Sequence, residues 1–195
     1  HPWDIIAELS QNSVDAIKRW NDTYPDLTKN HKINITINQK NRSIKIADTG
    51  IGIHPDKAAT LLGPDETDKE GSESQIGEKG VGLTFAIFCS NNFEIQSRSP
   101  QGSYKGKIKS AKLWKNDENY TDDHVPQIED EHKNNQSISP SDTGTEILLE
   151  DIEIHDDKIY DLFYLTPERL IYILRTKTAI GYTGKRFKKG DLEVE

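Results

Sequence analysis

The 195 residues suffice for one domain with a buried core, and 30% charged beside 33% apolar residues describe a polar globular chain, not a disordered one. No run approaches the roughly 18 apolar residues of a membrane span, and the N-terminus lacks the basic-then-apolar order of a signal peptide. A net charge of −8 argues against a generally basic nucleic-acid surface, and Cys89 alone cannot form an internal disulfide, so a cytoplasmic protein with no membrane partner is expected.

Taken in chain order, residues 3–21 set Ile6, Leu9, Ser13, Ala16, Ile17 and Trp20 on one side at the 3.6-residue period. That predicts an amphipathic helix, ended by Pro25. Ile33, Ile35 and Ile37 alternate with Asn34, Thr36 and Asn38, the pattern of a half-buried strand. Ile44 and Ile46 begin a second strand after a turn at Asn41-Arg42, so the two form a hairpin. Asp48-Thr49-Gly50-Ile51-Gly52 breaks the second strand. Residues 62–77 are rich in Gly, Ser, Asp and Glu and predict a mobile loop, followed by an apolar helix over 81–89.

Strands are predicted over 93–97 and 104–113, separated by a Ser-Pro-Gln-Gly turn. Lys105, Lys107 and Lys109 share one face of the second, expected to be solvated; a further basic run covers 185–189. Residues 116–142 are nearly devoid of apolar side chains and read as a polar excursion or a partly disordered insertion. Another strand spans 145–149, and Thr166-Pro167 opens a helix with the threonine as its N-cap. From Gly181 onward a terminal loop or edge strand is expected. The chain has no methionine, so it is expected to be a piece of a longer protein. The organisation reads as a domain over 1–150, then a C-terminal helix and tail over 151–195 leading to a further domain.

Four elements carry chemistry. Glu8, Asn12 and Asp15 lie at i, i+4 and i+7, which puts a carboxylate, an amide and a second carboxylate on one helix stripe; by itself this also suits a solvated face. Asp48 shares strand parity with Ile44 and Ile46 and so points toward the core, where a carboxylate needs hydrogen-bond donors. It either caps the Thr49-Gly50 turn or accepts a proton from an amine on a flat ligand, with Gly50 and Gly52 allowing close backbone approach. Gly77-Glu78-Lys79-Gly80-Val81-Gly82-Leu83 runs into the apolar helix, where exposed N–H groups and the helix dipole suit a polyphosphate. Neither the P-loop nor the dinucleotide GxGxxG pattern fits there, since Phe85 occupies the last position of the latter. Thr145, in Gly144-Thr145, shares parity with Ile147 and Leu149, so its hydroxyl points inward and wants a partner.

In this order the four elements resemble the motifs of the GHKL ATPases, the superfamily of heat-shock chaperones, the gyrase B subunit, the mismatch-repair protein MutL and sensor histidine kinases. Glu8 to Ala16 is similar to the N box in the form ELxxNSxDA, Asp48 to Gly52 to DxGxG, Gly77 to Gly82 to GxxGxG, and Gly144-Thr145 to the closing GT. The N box looks most like MutL and the GxxGxG form more like the chaperone or gyrase, which leaves the branch open. The resemblance implies a two-layer α/β sandwich, a mixed and largely antiparallel sheet with helices on one face. It implies ATP and Mg²⁺ as cofactors, with Asn12 on the metal and Asp15 on the same stripe of the nucleotide site. Asp48 would take the adenine amino group, Thr145 would support it through water, and Gly50 and Gly52 would shape the pocket. Gly77, Lys79, Gly80, Val81, Gly82 and Leu83 would cradle the phosphates, and residues 62–76 would form a lid.

Glu8 would be the general base of hydrolysis; histidine kinases generally lack it, which favours an ATPase over phosphotransfer to histidine. Many relatives complete the site with a lysine from a following domain, so slow turnover is implied, as is an ATP-dependent homodimer of the full-length protein exchanging ATP and ADP. Two rivals stand beside this. One is an inactive nucleotide-pocket interaction module, against which Glu8 and Asn12 both weigh. The other is an aspartic peptidase, suggested by Asp-Thr-Gly at both Asp48 and Asp142.

Overall fold

Helix α1 (Asp4–Thr23) forms because its apolar residues recur on one face: Ile5, Ile6, Leu9, Val14, Ile17 and Trp20 are buried, with Ser10 and Ser13 beside them. The Tyr24 N–H closes its last turn on the Trp20 carbonyl at 2.9 Å, one residue before Pro25. The computed structural model describes residues 3–61, 81–119, 125–153, 161–182 and 192–194. The predicted lid over 62–76 lies outside these residues, as do Gly77, Lys79, Gly80 and the basic run at 185–189.

The predicted hairpin is β1 (His31–Asn38) against β2 (Ser43–Asp48), in antiparallel register with Ile35 opposite Ile46 and Ile37 opposite Ile44. After α2 (Pro55–Leu61) and α3 (Val81–Phe88) come β3 (Asn92–Ser99) and β4 (Gly102–Lys109). Then follow α4 (Ala111–Asn116), β5 (Glu129–Asn134), β6 (Gly144–Glu150), α5 (Pro167–Lys177) and β7 (Leu192–Val194). One sheet orders its strands β5-β4-β3-β6-β2-β1-β7. Six strands pair antiparallel, and β7 adds to β1 in parallel, so the sheet is mixed and largely antiparallel. The inward residues Ile33, Ile44, Ile46, Phe93, Ile95, Ile147 and Leu149 join the buried face of α1 and Ala86 and Ile87 of α3 in one core. This is the two-layer α/β sandwich that the motifs imply.

Two expectations are corrected. The strand predicted over 104–113 stops at Lys109, because Ser110 takes a left-handed conformation (φ 60°) and α4 begins at Ala111. The stretch 116–142 is not wholly an irregular excursion: Glu129–Asn134 forms strand β5 on the edge of β4. Its residues have no apolar alternation, and charge pairs across the ladder take its place. Lys105 meets Glu131 at 2.8 Å, Lys107 bonds Glu131 and lies 3.7 Å from Glu129, and the Tyr104 hydroxyl donates to Asp130 at 2.6 Å. The face of Lys105 and Lys107 is therefore solvated, as expected, and also occupied by an acidic neighbour.

The C-terminal residues pack on the same body. Thr166 caps α5 by accepting the Arg169 N–H at 3.3 Å, with Pro167 at the first helical position. Leu162 and Phe163 join the core, and Asp161 binds Arg42 at 2.7 Å. Of the two outcomes expected for the tail, the edge strand is realised as β7.

Candidate functional site

Asp48 is the last residue of β2, flanked by Ile33 of β1 on one side and Thr145 of β6 on the other. Its Oδ1 accepts the Gly50 N–H at 2.8 Å, the turn cap expected on ordinary grounds. The cap is not its whole environment: the Ser13 hydroxyl and the Thr145 N–H also donate to the carboxylate. Burial pushes the acid up to about 7, while these three donors and the charge of Lys29 pull it back down. A carboxylate has about four acceptor sites. With three donors in place and the residue still partly accessible, acceptor capacity remains for an outside N–H.

Thr145 sits between Asp48 on β2 and Ser97 on β3, the residues opposite it in the two ladders. Its hydroxyl, predicted to point inward, shares a hydrogen bond of 2.9 Å with the buried Ser97 hydroxyl. Ser97 in turn accepts the Ile53 N–H at 2.9 Å, which ties the Asp-Thr-Gly-Ile-Gly loop to the centre of the sheet. The glycines of that loop answer to the protein itself. A Cβ on Gly50 would stand 2.6 Å from the Ala16 carbonyl carbon of α1, and Gly52, at φ +75°, would place one 2.0 Å from the Arg98 oxygen. The close backbone approach expected at these positions is thus made to α1 and β3.

Helix α1 carries the second part of the site. Ser13 turns inward to Asp48, so its neighbour Asn12 stands exposed beside the same strand end. Glu8 and Asp15 flank Asn12 along the helix, both half-buried. Burial raises the Glu8 acid first, and the charge of Asp15 adds to it. Glu8 also lines an open depression with Asp4, Ala7 and Gln11, closed on its far side by Lys177, Thr178 and Ala179.

Val81, Gly82 and Leu83 form the first turn of α3, and the Leu83 side chain packs against the core, so a ligand at this helix start would meet backbone. The structure therefore brings Asp48, Gly50, Gly52 and Thr145 together at one end of the sheet and links them to α1 through Ser13, while Glu8 of the same helix lines the depression beside Lys177, Thr178 and Ala179. Asp142, the second Asp-Thr-Gly aspartate, is exposed in a 3-10 turn over Pro140–Asp142, an unsuitable place for a shared-proton dyad.

Three residues of the site are not singled out by sequence reasoning. Ser13 reads there only as part of the inner helix face, Ser97 only as strand, and Lys29 not at all. Strand parity places Ser97 inward with Phe93 and Ile95, but its partner depends on the β3–β6 register.

The family model for histidine kinase-, DNA gyrase B-, and HSP90-like ATPases matches residues 1–145. Among curated proteins, the chaperone protein HtpG of Natranaerobius thermophilus is 28% identical over 192 residues, covering 88% of this chain and 27% of the chaperone. HtpG of Bacillus velezensis is 27% identical over 178 residues, 82% of this chain and 25% of that protein. HtpG of Clostridium botulinum is 29% identical over 185 residues, 84% of this chain and 26% of that protein. The chain spans about a quarter of the length of these relatives. These relatives all carry the name of the chaperone, one of the branches that the motifs leave open.

Proposed function

Because the chain belongs to the histidine kinase-, DNA gyrase B- and HSP90-like ATPase family, we propose that it binds Mg-ATP at the Asp48 end of β2 and hydrolyses it slowly. The domain over 1–150 would act as a nucleotide-driven switch, with 151–195 leading toward the rest of a longer cytoplasmic protein. The observation that carries this proposal is the Asp48 carboxylate. It is held by Gly50, Ser13 and Thr145 at the mouth of an apolar sheet, with acceptor capacity left for the adenine amino group.

The residues present also suit the metal. Among the described residues no cluster of three acidic, histidine or cysteine side chains could cage an ion. Mg²⁺ keeps several waters and takes one or two protein oxygens beside substrate phosphates. The exposed Asn12 amide is such an oxygen, and Asp15 lies one helical turn away. When bound, the ion neutralises charge developing on the phosphates. Glu8, its acid raised by burial and by Asp15, is the base. A water oxygen forms a bond to the γ-phosphorus, its proton passes to Glu8, and the bond to the β–γ bridging oxygen breaks to give ADP and phosphate. Gly77, Lys79, Gly80, Val81 and Gly82 would hold the phosphates at the start of α3.

Glu8→Ala tests the assignment. It should leave ATP affinity within about threefold and lower turnover by about 10²–10⁴-fold, the usual contribution of a general base. Turnover equal to the unmodified chain in that variant would remove Glu8 from the reaction.

A further inference from the structure

Lys29 precedes β1 in an irregular segment, and its half-buried ammonium is fully engaged. It donates to the Pro140 carbonyl at 3.1 Å, the Thr143 carbonyl at 3.0 Å and the Thr143 hydroxyl at 3.1 Å. An ammonium has three protons, and these bonds use all of them. Lys29 also lies 5.4 Å from the centre of the Trp20 ring, whose Nε1–H donates to the same Pro140 carbonyl at 2.8 Å. The Thr143 hydroxyl, accepting from Lys29, sends its own proton to the Gly50 carbonyl at 2.7 Å. Gly50 donates its N–H to Asp48, and Thr145, two residues beyond Thr143, does the same. One cation thus joins the turn that carries Thr145 to the turn that carries Asp48.

We infer that Lys29 is a positioning residue of the proposed adenine pocket. It locks the Pro140–Thr143 turn against Gly50, sets where Asp48 and Thr145 face a ligand, and leaves a positive charge behind the Asp48 carboxylate. A lysine used only to fill space at this position would be costly, since burial draws its ammonium down to about 8. Asp48 and Asp142 oppose that fall, and Arg98 of β3 adds to it. The influence is mutual, because Lys29 is the charge that lowers the Asp48 acid. His31 of β1, edge-on to Trp20 at 4.9 Å and bonded to Thr49, and Tyr24, 5.4 Å from the same ring, are further titratable groups near Lys29.

The inference rests on the adenine-pocket proposal for its binding arm only. The test follows the Asp48 carboxyl by carbon NMR across pH in the ligand-free chain, and then the affinity for adenosine, a probe with no group titrating in this range. In the unmodified chain, affinity should rise through about pH 7 as Asp48 ionises and fall above about pH 8 as Lys29 loses its proton. Lys29→Met should raise the Asp48 midpoint, weaken adenosine by about tenfold at neutral pH and abolish the alkaline fall. Lys29→Arg, charged throughout, should keep neutral affinity within about threefold and also lose the alkaline fall.

An unmoved Asp48 midpoint with full affinity in the Met variant overturns the inference, and so does an alkaline fall that persists in both variants. If the Met variant does not fold, the Arg variant decides by the presence or loss of that fall. Adenosine binding undisturbed by Asp48→Asn would sink the adenine pocket instead, and the ligand-free midpoint would still decide the role of Lys29.

Discussion

At the residue scale, Asp48 shows how the proposed binding group is held at a cost to stability. Its acid stands at about 7 in the folded chain, well above the ordinary value of 3.8, and burial is the main cause. Below pH 4 the carboxyl is neutral in both folded and unfolded chains and carries no penalty. Between pH 4 and 7 the folded chain holds a proton that the unfolded chain has lost, so stability falls as pH rises, and it levels off above 7. A tenfold change in an acid's ionisation constant corresponds to ~1.4 kcal/mol, so the penalty at pH 8 is of the order of 4 kcal/mol. Asp48→Asn has no such titration. Urea unfolding at pH 4.5 and pH 8 should show the variant gaining on the unmodified chain by that order between the two conditions. A difference that stays constant with pH would mean the carboxylate is not desolvated as described.

Sequence reading reaches Asp48 through parity with Ile44 and Ile46, which are buried, whereas Asp48 at the strand end stays partly accessible. Its donors lie beyond such reading. Ser13 belongs to another element, and the Ser97–Thr145 bond exists only because β3 and β2 flank β6 in one register. A strand pattern gives the facing of a side chain but not the identity of its neighbour.

At the element scale, α1 does two things at once, and its position is set closely. Its inner face fills the core, while Glu8, Asn12 and Asp15 remain along its accessible side. Gly50 fixes the separation between this helix and the Asp48 turn, and the Ile51 N–H bonds the Ala16 carbonyl at 3.1 Å. Gly50→Ala would set a methyl 2.6 Å from that backbone, so the helix must move. The expected loss is ~1–3 kcal/mol, typical of overpacking, and it should come with weaker ATP binding because Ser13 and Asn12 move with the helix. Thermal denaturation and titration of the variant check both; an unchanged melting temperature would show that α1 adjusts freely.

The strands with apolar alternation are legible because burial enforces their pattern, as in β1, β2, β3 and β6. Strand β5 is not, since its Glu-Asp-Glu-His-Lys-Asn run has no inner face to bury. It is held by backbone pairing to β4 and by Lys105 and Lys107, which pull the Glu131 acid down to about 2. An edge strand of this kind resists sequence reading because its partner supplies the complementarity.

At the scale of the whole molecule, the order of the four motifs is visible in the sequence, and the fold accounts for how those on α1, β2 and β6 meet. The end of β2 and the start of β6 are neighbours, and α1 packs against β2. For the full-length protein we expect ATP to drive dimerisation through segments beyond those described. Light scattering with and without a non-hydrolysable ATP analogue should show the mass double on binding; an unchanged mass would confine the switch to the monomer.

The central claim, that Asp48 anchors a nucleotide, is tested most directly by calorimetric titration of this chain with a Mg-ATP analogue and with ADP, beside Asp48→Asn. Saturable binding of both nucleotides in the unmodified chain, lost in the folded variant, is the predicted result. Equal binding in both proteins, or binding in neither, would contradict the account; the second outcome would bring forward an interaction module with a silent nucleotide pocket.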